Sequence, residues 1–244
     1  MIKYVQAKMF TQEEIRLKQI KANVSEIQNG ISEACAKSGR KPSEISLMSV
    51  TKYASAEDIR LFISAGITAI VGENKVQSVK ARWIDGELAD LRKQVRLHLI
   101  GHLQTNKAKA AVEIFDSIDS IDSIKIAKAV NRHAEEAGRI MPVLVQIKLT
   151  KSETQSGIAP EEASALVREM RQMSNLNVCG YMAIAPAFAG SDEIQKSFQT
   201  AKDLFDRDFS DKEGAILSLG MSEDYREAVM SGSTMLRIGG AFFK

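Results

Sequence analysis

A lysine, an arginine and two glycine-rich turns are the residues of this chain best suited to chemistry. Lys52 closes the run Ser46-Leu47-Met48-Ser49-Val50-Thr51, so its amine is expected at the carboxyl end of a buried strand. An amine placed there loses solvation, which frees it for Schiff-base chemistry. Far along the chain, Gly220-Met221-Ser222 leads into a helix-like segment, and Gly239-Gly240 follows the run Thr234 to Ile238. Backbone amides at glycine turns, helped by a serine hydroxyl, make a cradle for an anion the size of phosphate. Arg237 lies inside the last apolar run, where an unpaired guanidinium is costly, so a ligand or a carboxylate partner is expected. Singly, Lys52 reads as a rim lysine reaching for water and the glycines as ordinary turn residues. Together they point to a covalently held phosphorylated aldehyde.

The remaining candidates are weaker. His98, His102 and His133 do not cluster in sequence; His133 falls on a solvated helix face, and His102 sits at a strand end where it could touch a ligand. Glu73 and Asp119 could form an acid–base pair, with nothing in the spacing to fix their separation. Glu135-Glu136 and Glu161-Glu162 read as solvated helix faces. Cys35 and Cys179 stand outside any CxxC or metal-ligand spacing, as expected of idle or buried thiols in a reducing compartment. No metal-ligand pattern is present.

The elements that must position these residues alternate in type. Ile15, Ile20, Val24, Ile27 and Ile31 recur at helical intervals, predicting a first helix over 11–38 opened by a Thr11/Glu14 capping box and stopped by Gly39. Strands are then predicted at Ile45–Thr51, Thr68–Gly72, Arg96–Ile100, Ile114–Ile118, Pro142–Leu149, Asn177–Ile184, Ala215–Leu219 and Thr234–Ile238. Helical segments fall between them, among them Ser55–Ala65, Lys75–Trp83, Ser123–Ala137 and Asp192–Asp208. This is the tally of an α/β protein with a single (β/α)8 TIM-type barrel over 45–244 and an extra N-terminal helix. Short, fully apolar strands suit a parallel sheet covered by helices. A doubly wound open sheet is the alternative, and the absence of GxGxxG and Walker A patterns weighs against it. In a barrel, ligand groups collect on the loops after the strands. Those positions are Lys52, Gly72-Glu73-Asn74, Gly101-His102-Leu103-Gln104, Asp119-Ser120, Thr150-Lys151, Met182-Ala183, Gly220-Met221-Ser222 and Arg237 to Gly240.

Bulk properties narrow the function classes. With 33 basic and 31 acidic residues the formal charge is only +2, and no basic block appears, so a nucleic-acid footprint is not expected. No apolar stretch approaches the length of a membrane span, and Met1 to Phe10 lacks the apolar core of a signal peptide. The expected setting is cytoplasmic.

With these residues assembled, the chain resembles the YggS/PROSC family of pyridoxal 5′-phosphate (PLP)-binding proteins, also called PLP homeostasis proteins. The resemblance is carried by Val50-Thr51-Lys52, Gly72-Glu73-Asn74, His98-Leu99-Ile100-Gly101-His102-Leu103-Gln104-Thr105-Asn106-Lys107, Ser117-Ile118-Asp119, Gly180-Tyr181-Met182-Ala183, Leu219-Gly220-Met221-Ser222-Glu223-Asp224 and Gly232-Ser233-Thr234-Met235-Leu236-Arg237-Ile238-Gly239. It implies a barrel similar to the N-terminal domain of alanine racemase, with PLP held as an aldimine on Lys52. It also implies that Ser222 and the amides of Gly239 and Gly240 hold the phosphate, with Met221 among the cofactor-binding residues. Arg237 would lie near the pyridine nitrogen or the phosphate, and Asn74 near the pyridine hydroxyl. Three positions depart from the family pattern: Lys75 where an aromatic commonly stands, Gln146-Ile147-Lys148 for Gln-Val-Asn, and Gln155 for a lysine.

The resemblance implies a role in vitamin B6 and amino-acid homeostasis, with PLP-accepting apoenzymes and free amino acids as exchange partners and no established catalytic turnover. The chain is read as one domain over 1–244, monomeric rather than dimeric. No length follows Arg237 for the second domain of a racemase, so two-base racemisation is not expected. A racemase-like PLP enzyme is the alternative, followed by a phosphosugar-type barrel enzyme using Lys52 without PLP.

Overall fold

The computed structural model describes residues 10–150, 155–186 and 189–244; residues 1–9 and the rim candidate Lys151 lie outside the described residues. The first element is α1 (Gln12–Ser38). Its capping box forms as the spacing predicts: Glu14 N donates to Thr11 Oγ1 at 3.1 Å, and Thr11 N donates to Glu14 Oε2 at 2.9 Å. Gly39 ends the helix at φ +69°, a left-handed turn that side chains resist.

From there strands and helices alternate: β1 (Ser46–Val50), α2 (Ala56–Ser64), β2 (Ile70–Glu73), α3 (Val76–Val79), β3 (Arg96–Leu99), α4 (Ala108–Ile114), β4 (Ser117–Ile121), α5 (Ile124–Glu136), β5 (Met141–Lys148), α6 (Pro160–Met170), β6 (Leu176–Ile184), α7 (Ser191–Phe209), β7 (Ile216–Ser218), α8 (Tyr225–Met230) and β8 (Met235–Ile238). Every neighbouring pair is parallel, and β8 returns to pair with β1, so the eight strands close into a barrel. The expected α/β barrel with an added N-terminal helix is the fold observed.

That helix lies on the flank of the barrel, packed against α8 and α2. Arg16 clasps Asp58 of α2 with two bonds, at 2.6 and 2.9 Å, and also donates to the Phe243 and Lys244 carbonyls. Asn23 Nδ2 reaches the Phe242 carbonyl at 3.1 Å. Through these bonds α1 ties α2 to the segment that follows β8.

Two expected elements change. The fourth strand is Ser117–Ile121, not Ile114–Ile118, because Ile114 closes α4 and Phe115 is buried beside it. The apolar pair drew the expected strand three residues too early, while the true strand carries Ser117 and Asp119. The helix expected over Lys75–Trp83 is only the short α3 running into a π turn at Lys80–Ile84, closed by Asp85 N donating to Lys80 O at 2.9 Å.

Successive strand side chains point to opposite faces. Leu97, Leu99, Val143, Val145, Leu217, Leu236 and Ile238 join the apolar layer beneath the helices. The other face fills the barrel axis. There Met48 is in register with Arg237 and Gly72 with His98, and a Cβ on Gly72 would come 2.5 Å from Met48 Sδ. Barrel interiors are usually packed with branched apolar residues. This one carries His98, Asp119 and Arg237, all buried.

Candidate functional site

Because all strands are parallel, their carboxyl ends form one rim. Ser222 follows β7, Gly239 and Gly240 follow β8, Lys52 follows β1 and Asn74 follows β2. These are consecutive strands of the closed sheet, so the sequence candidates occupy one continuous arc. Close contacts stitch the arc together. Arg237 N donates to Gly220 O at 3.0 Å, and Thr51 N donates to Gly72 O at 3.2 Å. A Cβ on Gly239 would stand 3.2 Å from Val50 O, and one on Gly101 would stand 2.2 Å from Asn74 O.

Lys52 differs from its expected environment. The strand stops at Val50, and Thr51 to Ala54 form a turn closed by Ala54 N donating to Thr51 O at 3.0 Å. Lys52 is exposed within that turn, so its amine is solvated rather than stripped of water. Its Nζ lies 5.0 Å from the centroid of the Tyr53 ring and, among the described residues, pairs with no carboxylate.

The segments expected to form an anion cradle carry unused donors. Gly239 and Gly240 carbonyls accept turn bonds from Phe242 N at 3.0 Å and Phe243 N at 3.2 Å. The N–H groups of Gly239, Gly240 and Ser222, and the Ser222 hydroxyl, donate to no described residue. Gly240 is exposed and Gly239 and Ser222 are partly so, which leaves these donors open to water or to an anion. Met221 stands apart: its N–H is committed to Asp224 Oδ1 at 2.5 Å, and its side chain is exposed. It shapes the turn instead of offering a donor. Asp224 itself is buried, which pushes its carboxyl upward despite the Met221 amide and the field of Arg237.

Arg237 is 3% exposed and reaches across the barrel. Nη1 donates to Ser218 O at 2.7 Å and to Ser218 Oγ at 2.9 Å, and Nη2 donates to Ala183 O at 2.8 Å. A ligand or a carboxylate is the expected partner; among the described residues the guanidinium instead bonds the Ser218 carbonyl and hydroxyl and the Ala183 carbonyl. Asp224 and Asp119 act only through their field, and burial still draws the guanidinium down to about 10, which leaves it cationic at neutral pH.

Glu73 and Asp119 do not form a pair. Glu73 faces outward, accepting from Thr51 Oγ1 at 2.7 Å. Asp119 faces the axis, 2.8 Å from His98 Nδ1, and accepts from Ser117 Oγ at 2.5 Å. The buried Ser117–Asp119–His98 chain was not anticipated. Alternation of Arg96 and His98 with Leu97 and Leu99 in β3 was the available signal. His102 is exposed with Nδ1 3.2 Å from Asp122, and His133 bonds Glu136 at 2.7 Å on α5. Cys35 and Cys179 are unpaired thiols whose burial pushes both upward. Gln155, one of the departures, accepts from Thr150 Oγ1 at 2.7 Å and donates to Ile184 O at 3.3 Å, so it is absorbed into the rim. Among the described residues no acidic, histidine or cysteine group could hold a metal ion, and no helix is long and apolar enough to cross a membrane.

Comparison with known proteins bears on the same arc. Residues 15–244 match the family described as alanine racemase, N-terminal domain. The pyridoxal phosphate homeostasis protein of Helicobacter pylori is 34% identical over 202 residues, covering 82% of this chain and 87% of that one. The structure of PipY from Synechococcus elongatus with PLP bound superposes with a TM-score of 0.73 at 32% identity, covering 88% of this chain and all of that one (100%). Alanine racemase from Clostridium difficile, 16% identical, shares the fold at a TM-score of 0.66 over 93% of this chain and 56% of its own. Barrel, rim motifs and these likenesses agree: the chain belongs to the pyridoxal phosphate homeostasis protein family.

Proposed function

We propose that this protein binds pyridoxal 5′-phosphate at the carboxyl-end rim and serves to hold and release it in PLP homeostasis. The observation that carries this reading is the arc itself: an unpaired amine, a set of unused hydroxyl and amide donors, and a buried cation on neighbouring strands. That donor set fits the group. Ser222 with the amides of Gly239 and Gly240 would hold the phosphate, and Lys52 Nζ would form the covalent bond to the carbonyl carbon. Arg237 would face the pyridine nitrogen and Asn74 the ring hydroxyl. When bound, PLP supplies an electrophilic carbon open to attack by amines, which makes exchange with free amino acids and delivery to acceptor apoenzymes chemically accessible.

The residues themselves favour holding over turnover. Arg237 keeps its own proton at neutral pH, so it can donate a hydrogen bond to a ring nitrogen without protonating it, and this restrains carbanion chemistry. The exposed position of Lys52 leaves its amine open to water and to incoming amines. Two cysteines left unpaired suit a reducing, cytoplasmic compartment, and a single monomeric domain over 1–244 is proposed with it. The test is direct. The purified protein is titrated with PLP, its visible spectrum recorded, the sample reduced with borohydride and the pyridoxyl adduct located by peptide mass. An adduct on Lys52 is expected, and a colourless protein with no adduct there overturns the proposal.

A further inference from the structure

The turn that carries Lys52 is gripped from behind by residues with no other evident task. Glu73, 3% exposed at the end of β2, gathers three donors on one oxygen. Thr51 Oγ1 donates to Glu73 Oε1 at 2.7 Å, Trp83 Nε1 lies at 3.5 Å and Arg82 Nη1 at 3.8 Å. Arg82 then reaches both ends of the Lys52 turn, donating to Thr51 O at 3.4 Å and to Ala54 O at 2.9 Å. Its Nε stands 3.5 Å from Glu87, which holds the guanidinium from the solvent side. Arg82 and Trp83 both belong to the π turn Lys80–Ile84. Such turns are rare and gather at functional sites, because the extra residue redirects side chains that a regular helix would aim elsewhere.

We propose that Thr51, Glu73, Arg82 and Trp83 are positioning residues for Lys52. They fix the Thr51–Ala54 turn and so aim the amine across the mouth toward Ser222 and Gly239. None of the four touches the ligand; each acts through the turn. The inference rests on Lys52 being the attachment point, and its strength is geometric. A hydroxyl, an indole and a guanidinium converge on one buried carboxylate, and the same guanidinium binds the two carbonyls that bracket the lysine. An amine held in place reacts faster than one that must search, and small misplacements cost a large factor.

The experiment compares Thr51→Val, Thr51→Ser and Arg82→Met with the wild-type protein. Three quantities are read: the rate of borohydride-trapped pyridoxyl labelling at Lys52, amide exchange at Ala54 in the unliganded protein, and emission of the single tryptophan, which reports on the Glu73 contact. Thr51→Val keeps the shape and removes the donor, and is expected to slow Lys52 labelling about tenfold. It should also raise exchange at Ala54 and shift the emission, leaving exchange in β5 unchanged. Thr51→Ser restores the hydroxyl and should recover all three. Arg82→Met, on the solvent side of the network, should reproduce the loss without altering Thr51. Wild-type labelling and wild-type Ala54 exchange in Thr51→Val and Arg82→Met overturn the inference. Failure of the wild-type protein itself to label at Lys52 removes the functional reading instead, and amide exchange still decides whether the network holds the turn.

Discussion

Replacing Arg237 by methionine or by glutamine separates what the guanidinium does for the fold from what it does for a ligand. Methionine fills a similar volume but leaves Ser218 O, Ser218 Oγ and Ala183 O without their donors. A buried acceptor stripped of its partner costs roughly 1–3 kcal/mol, so the gross loss is about 6 kcal/mol. Against this stands relief of the buried cation. Arg237 sits at about 10 against an ordinary 12.5. At about 1.4 kcal/mol per unit, that desolvation costs about 3 kcal/mol. The net expectation for Arg237→Met is a loss of about 3 kcal/mol, or about 6–12 °C in Tm for a chain of this size. Glutamine supplies one neutral NH2 in place of the guanidinium and should cost less than methionine. Urea denaturation of the unliganded proteins gives both numbers, provided the m-values match. A parallel PLP titration reads the ligand: Arg237→Gln should stay folded and bind more weakly. A methionine variant as stable as wild type would refute the carbonyl-fork account, and unchanged PLP affinity in the glutamine variant would show that Arg237 does not face the cofactor.

Two further substitutions test the scaffold. Gly220 has φ +87°, and a Cβ there would meet Ala228 Cβ at 2.5 Å and Leu236 Cδ2 at 3.0 Å. Gly220→Ala should therefore cost about 2–4 kcal/mol in denaturant melts and displace the Ser222 turn, weakening phosphate capture; a neutral result would show that α8 yields freely. Arg16 holds the Asp58 carboxyl below its usual value, with burial opposing. A depressed carboxylate contributes stability above its unfolded value near 3.8 and loses it as pH falls through the folded value. Asp58→Asn should thus cost about 1 kcal/mol at pH 7 and progressively less below pH of about 4. A deficit that persists undiminished in acid would mean that the ion pair is not its source.

The fold was legible because its barrel strands mostly carry apolar side chains on the helix-facing side, and because glycine, serine and proline punctuate the helices. Ile20, Val24, Ile27 and Ile31 identified α1 for the same reason. Legibility failed where a strand's inward positions are polar. Asp119 and Ser120 in β4 broke the hydrophobic run, and Ile114-Phe115, which close a helix, took their place. The site was legible as a set of residue types at strand ends. The partners that satisfy those residues were not, since a backbone carbonyl such as Ala183 O has no sequence signature. Arg237 therefore looked as if it needed a ligand or an acid. Lys52 looked desolvated because the run before it is buried, whereas the strand ends two residues short of it. The π turn at Lys80–Ile84 was hidden for a related reason: Lys-Ala-Arg-Trp-Ile holds no helix breaker, and the contacts of Arg82 and Trp83 with Glu73 and with the Thr51 and Ala54 carbonyls are tertiary.

The closure of β8 on β1 also has a temporal meaning. On the ribosome Lys52 emerges well before the glycines that would face it. On the proposed reading, until β8 docks the lysine would have no glycine amides beside it to hold a phosphate. Once docked, anything bound to both sides bridges the one join between the first and last strands of the barrel. On that reading a ligand held from both sides would act as a clasp on that join. Ligand release and loosening of the first strand from the last would then be coupled.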